Sequence, residues 1–152
     1  MMRVRMMTLD DAQEVARLSG QLGYPSTTEQ VERRFRALAR SVDSAILVAE
    51  TDEPGLAGWA HLVGRELLES DPFAELMGLV VDASARRRGV GRALVTAAEG
   101  WAKERGYAVL HVRSNMVRTE ARPFYERMGY TVVKNQYVFR KTLAGRHENG
   151  IL

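Results

Sequence analysis

The spacing of apolar residues divides the chain into short segments with two different periods. After a short strand in "VRMM", Leu9, Ala12, Val15, Ala16 and Leu18 recur at helical spacing. Thr8 stands at the N-cap of that helix, Asp10 and Asp11 in its first turn, and Gly20 and Gly23 near its end. "STTEQVERRFRALARS" predicts a second helix, capped at Thr27 or Thr28, with Val31, Phe35 and Leu38 on one face. The pattern then changes. "SAILVAE" and "LAGWAHLVG" read as strands, and the turn-forming "TDEPG" between them predicts an antiparallel hairpin. "RELLESDPF" reads as an acidic connection, and "AELMGLVVD" is apolar on both faces, as a central strand should be.

"GVGRALVTAAEGWAKERG" is the clearest helix, with Val90, Leu94, Ala97, Ala98 and Trp101 in register and Gly106 as its stop. "YAVLHVRS" predicts a strand, "RTEARPFYERMGY" a short helix, and "TVVKNQYVFRKTL" a closing hairpin. The order is β-α-α-β-β-β-α-β-α-β-β, a mixed α/β sheet expected to form a single domain over residues 1–152. Residues 144–152 have little to bury and are expected to be mobile, or to pack against a second copy in a homodimer.

Composition narrows the function. At 152 residues, 45% hydrophobic and 27% charged, the chain has the profile of an ordinary globular domain. No apolar run approaches the roughly 20 residues that span a bilayer. "MMRVRMMTLD" lacks the apolar core of a secretory signal, so no membrane and a cytoplasmic location are expected. With no cysteine and three scattered histidines, neither a disulfide, a thiol nucleophile nor a metal site is expected. The net charge of +3 comes from 22 basic against 19 acidic side chains, too balanced for a dedicated nucleic-acid binder.

Positive charge is densest in "ARRRGVGRAL", where a strand gives way to a helix. The first N–H groups of a helix have no internal partner, and the helix dipole adds partial positive charge there. Gly89 and Gly91 would let a bulky anion approach those amides. A phosphate site and a solvated basic cap fit these ten residues equally well. A Walker A loop is excluded because its Lys-Ser/Thr ending is missing, and a dinucleotide fingerprint fails at Leu94.

Arg86-Arg87-Arg88-Gly89-Val90-Gly91 resembles the Arg/Gln-x-x-Gly-x-Gly/Ala signature of the GNAT superfamily of N-acetyltransferases. "LMGLVVD" is similar to that family's fourth strand and "NMVRTEARPFYERMGY" to its closing segment, with the element order fitting over nearly the whole chain. The resemblance implies a GNAT-type acyl-CoA N-acyltransferase fold with a splay between strands 4 and 5. It implies acetyl-CoA as cosubstrate, its pyrophosphate on Arg86, Arg87, Arg88, Gly89, Val90, Gly91 and Arg92. The pantetheine arm would pair with Leu79, Val80 and Val81, and Gly78 would begin a bulge. Asn115 matches a position that touches the cofactor arm, although it fits a helix cap equally well.

Acetyl transfer to an amine needs a neutral nucleophile, a stabilised oxyanion and a proton for the leaving thiolate. An amide near Leu79 or Val80 suits the oxyanion. Tyr125 matches the family's general acid, with Pro123 expected to kink its helix, and Glu75 matches a glutamate base. His61 and His111 are the alternative bases. Glu69 and Asp71, with Glu66 and Glu75, would draw a cationic acceptor, a small molecule or a peptide. Two rival readings use the same residues: a CoA-binding regulatory module without catalysis, and a nucleic-acid binder built on Arg86 to Arg88, Arg92 and Arg113.

Overall fold

The computed structural model describes residues 1–114, 116 and 118–144, which form two compact units, Met1–Asn115 and Met116–Leu152. The first unit is a five-stranded sheet in the order β1 (Arg3–Met6), β2 (Ser44–Glu50), β3 (Leu56–Leu67), β4 (Ser70–Val81) and β5 (Leu110–Val112). Neighbouring pairs are antiparallel except β4–β5, which is parallel because α3 (Val90–Glu104) crosses between them.

Two helices, α1 (Ala12–Leu22) and α2 (Thr28–Ala39), cover one face of the sheet. Val15, Ala16, Leu18 and Val31 from them join Met7, Val48, Leu56 and Val80 in one buried cluster, with Trp59 packed against it. The opposite face receives α3, whose Val90 and Leu94 approach Gly58 so closely that a Cβ there would lie 3.3 and 3.1 Å from them. Local chemistry sets the helix starts. Thr8 and Asp11 form a capping box before α1, as Thr27 and Gln30 do before α2. Asp11 is also buried and receives two hydrogen bonds from Arg5, at 2.8 and 2.9 Å.

Three expectations change. The acidic stretch 65–73 is not a connecting loop. β3 runs on to Leu67 and β4 begins at Ser70, so only Leu68 and Glu69 turn, and Glu75 lies well inside β4. Charged side chains do not stop a strand whose ladder continues, and here Arg65 pairs with Phe73 and Leu67 with Ser70. In the second unit, Pro123 falls in the first turn of α4 (Ala121–Arg127), where an amide has no intrahelical acceptor, so no kink is required. Residues 131–143 are described without strand structure, and Val133, Tyr137, Val138 and Phe139 are exposed. Alternating apolar residues supply strand propensity, but only pairing with another backbone makes a strand. Gly145–Leu152, most of the expected tail, lies outside the described residues, as does Asn115.

Candidate active site

The site is built where β4 leaves β5. The parallel ladder covers Ala74–Leu110, Glu75–His111 and Leu76–Val112, and closes with Arg113 N–H donating to Leu76 O at 3.3 Å. Beyond Leu76, β4 runs on to Val81, and among the described residues β3 is the strand paired with it there. The split coincides with a bulge. His61 pairs with Gly78 and Leu62 with Leu76, which leaves Met77 as the extra residue. The bulge thus falls one position before Gly78.

The ladder decides which amides face the opening. Asp82 N–H donates to Ala57 O at 2.8 Å, so Asp82 and Ala57 are a hydrogen-bonded pair. Antiparallel alternation then commits Val80 and Gly78 to β3 and turns the main-chain groups of Leu79 and Val81 toward the splay. The Val80 side chain is buried in the core. Of the three residues expected to meet a cofactor arm, two have main-chain groups free to do so.

β4 leads into the arginine loop. Asp82 accepts from Ser84 N–H at 3.1 Å and pairs with Arg17 of α1 at 3.1 Å, which fixes the start of the loop. Arg86, Arg87, Arg88 and Gly89 are exposed between the buried Ala85 and Val90, and Arg92 is exposed in the first turn of α3. Arg87 and Gly89 adopt left-handed backbone, with φ of 65° and 82°. Gly89 is the N-cap of α3, and its carbonyl accepts the helix's first bond, from Ala93 N–H at 3.0 Å. The amides of Val90, Gly91 and Arg92 therefore have no intrahelical acceptor. A Cβ on Gly89 would meet nothing within 4 Å, so it is the left-handed φ, not crowding, that favours glycine. Left-handed turns leading into a helix N-terminus form a concave run of N–H donors, and the loop has the chemistry of an anion cradle.

The face of the sheet shared with α1 and α2 carries the polar residues beside the bulge. Glu75, only 3% exposed, accepts from Arg65 Nε at 2.8 Å and from Arg113 Nε at 2.6 Å, one arginine on each carboxylate oxygen. Burial pushes its carboxyl up, but the two hydrogen bonds and both positive charges outweigh burial and hold it below its ordinary value. Arg65 Nη2 also reaches Met77 Sδ at 3.4 Å. Trp59 and His61 lie on the same face, and a Cβ on Gly78 would come within 3.1 Å of the Trp59 ring. Trp59 Nε1 and His61 Nε2 are buried and have no hydrogen-bond partner. Burial first, then the charge of Arg65, holds the His61 imidazole below its ordinary value. His111 lies across from Glu75 and its ring is 4.3 Å from that of Phe73.

The acidic residues do not form one cluster. Glu66 and Asp71 line an open concavity of about 480 Å³ with Asp43, Arg105 and Tyr107. Tyr107 covers Gly64 on the face that α3 occupies, so these two carboxylates lie across the sheet from Glu75 and His61. Glu69 is exposed in the β3–β4 turn. Within the second unit, Tyr125 makes edge contacts with Phe124 and Tyr130, at centroid distances of 5.0 and 5.9 Å. Burial pushes its phenol up to about 12. Among the described residues no group of His, Asp or Glu could hold a metal ion, and no helix is long and apolar enough to cross a membrane.

A parallel strand pair thus splits at a bulge, and the split strand runs on to a helix start with the chemistry of an anion cradle. The chain belongs to the acetyltransferase (GNAT) family, whose model it matches over residues 9–130. It is 36% identical over 103 residues to aminoglycoside N(6')-acetyltransferase type 1 of Klebsiella aerogenes, covering 66% of this chain and 68% of that protein. It is also 36% identical over 100 residues to the uncharacterized N-acetyltransferase YhdJ of Bacillus subtilis (strain 168), covering 65% and 69%. The crystal structure of aminoglycoside N-acetyltransferase AAC(6')-Iy in complex with CoA superimposes with a TM-score of 0.83 at 20% identity, covering 94% of this chain and 96% of that one.

Proposed function

We propose that the protein transfers an acetyl group from acetyl-CoA to a primary amine of a small molecule or peptide, by direct attack in a ternary complex. One observation carries this reading: the free edge of β4 at Leu79 and Val81 runs directly into the cradle at Arg86 to Arg92. That continuity matches a ligand with an extended, amide-bearing arm and a diphosphate at its end. Leu79 and Val81 hold the arm by strand-like pairing, and the loop amides and arginines hold the diphosphate. In this reading the Leu79 N–H, at the mouth of the splay, stabilises the oxyanion. The family match crosses both structural units, and in this reading they serve one acetyltransferase domain.

Tyr125 donates to the departing sulfur. A phenol at about 12 keeps its proton at physiological pH. Complete transfer to a thiolate whose thiol has a pKa near 8.5 is uphill. Tyr125 therefore acts as a donor refilled by the proton that the attacking nitrogen sheds, and does not end as a phenolate. Glu75, bound to two arginines and held ionised, is a weak proton acceptor. Its role is to fix Arg65 and Arg113 beside the bulge. The relative from Klebsiella makes amino sugars the first acceptors to try. The test is a panel of amino sugars, polyamines, amino acids and peptides with acetyl-CoA, read by release of free thiol. Release with at least one amine supports the reading. Salt-resistant CoA binding without turnover on any amine would leave a CoA-binding module in its place.

A further inference from the structure

We propose that the imidazole of His61 accepts the proton that the acceptor ammonium must lose before it can attack, an inference that rests on the acetyl-transfer reading. His61 Nε2, buried and without a hydrogen-bond partner, belongs to the β3 residue that pairs with Gly78 beside the Met77 bulge. A buried polar atom without a partner forgoes a hydrogen bond that it would make in water. With its proton on Nδ1, His61 presents beside the splay an acceptor that a bound ammonium can satisfy. Gly78 pairs with His61 immediately before Leu79, and the Trp59 ring lies over it. Nε2 itself is buried while the residue is half-buried, so in this reading the ring turns about its soft χ2 torsion to meet the amine.

The charge around the ring favours a base. Arg65 is the charged neighbour on β3, Glu75 on β4 is bound to that same arginine, and β5 contributes Arg113 and His111. β2 places Ile46 opposite, while α1 and α2 bring Val15, Leu18 and Val31 to this face. No carboxylate is free to keep His61 protonated. The ring is neutral near pH 7, and with its proton on Nδ1 it presents a lone pair at Nε2.

The step balances. The ammonium gives one proton to His61 Nε2, and the neutral nitrogen forms a bond to the thioester carbon. The C–S bond then breaks and its electron pair leaves on sulfur, which takes a proton from the donor. The nitrogen's second proton refills that donor, and His61 releases its own to solvent.

The test compares parent and His61→Gln enzyme in kcat/KM against pH, with CoA affinity and melting temperature as controls. The parent should show an acid limb below pH 6.5, with activity lost as His61 is protonated. The variant should lose the limb and be about 10²-fold slower at pH 7, the low end for general-base catalysis. It should recover part of that rate above the amine's own pKa, with CoA affinity unchanged. An active parent with a variant of unchanged profile overturns the role of His61 alone. A parent inactive on every amine overturns the transfer reading and this role with it. Where the variant does not fold, histidine NMR of the parent decides: the His61 signals should titrate below pH 6.5 and shift when the amine binds, and signals that do neither overturn the assignment.

Discussion

Arg113 Nε lies 2.6 Å from Glu75 Oε2, and this contact ties the end of β5 to the interior of β4 immediately before the two strands part. With Arg65 on the other oxygen, the carboxylate is buried and fully engaged. Removing one partner of a buried pair typically costs about 3–5 kcal/mol, and Glu75→Gln, which keeps the shape, should lie at or below the lower end. The sign of the pH dependence follows from the lowered carboxyl. The folded state binds its proton less readily than the unfolded chain, so the contribution is complete above the ordinary value of 4.5 and is lost as pH falls through the lower folded value. Denaturant melts of parent and variant should differ most near pH 7 and converge below about pH 4. A pH-independent difference would mean that Glu75 stabilises by packing.

Gly89 is left-handed and open above its Cα. Gly89→Val should cost the fold about 1–2 kcal/mol through the forbidden φ. Because the new side chain projects where the diphosphate would dock, CoA affinity should fall by more than tenfold, roughly 1.4 kcal/mol or more. Calorimetric titration beside a thermal melt separates the two effects. A folded variant with parental affinity removes the loop from the CoA site.

Tyr125→Phe preserves the ring contacts with Phe124 and Tyr130 and removes the hydroxyl. CoA binding should persist while kcat and kcat/KM fall together by about 10²- to 10⁴-fold. The loss should shrink with an acyl donor whose thiol is more acidic, because that thiolate needs less help. Steady-state rates with two donors, with chemistry shown to limit turnover, test this. An unchanged kcat would make Tyr125 a packing residue.

Glu69 and Asp71 lie away from the polar face at the bulge, one in a solvent-exposed turn and the other in the concavity beside Tyr107. Glu69→Gln with Asp71→Asn should therefore leave the KM for a cationic amine within about twofold, because exposed charges beyond a Debye length of roughly 8–10 Å are screened. A several-fold rise in that KM would return the acidic hairpin to the acceptor site.

The sequence alone determined what depends on neighbours along the chain. Thr8 and Thr27 with their partners three residues on, the "TDEPG" turn and the Gly89 junction are local devices, and each appears where its residues predict it. The cradle was legible for that reason: a helix start, its glycines and its arginines occupy one short stretch. Tertiary structure decided the rest, because strand partners are distant in sequence and a single bulge changes which residues share a face. Glu75 read alone is a base at a strand entrance. Arg113, 38 residues away, and Arg65 each bind one of its carboxylate oxygens. Val80 lies in the stretch expected to meet the cofactor arm, but the ladder with β3 takes its amide and leaves those of Leu79 and Val81 free. The acidic run looked continuous, but two strands carry its charges to opposite faces of the sheet. Period-two alternation says that neighbouring side chains part company, and only the paired register says which of them meets the bulge.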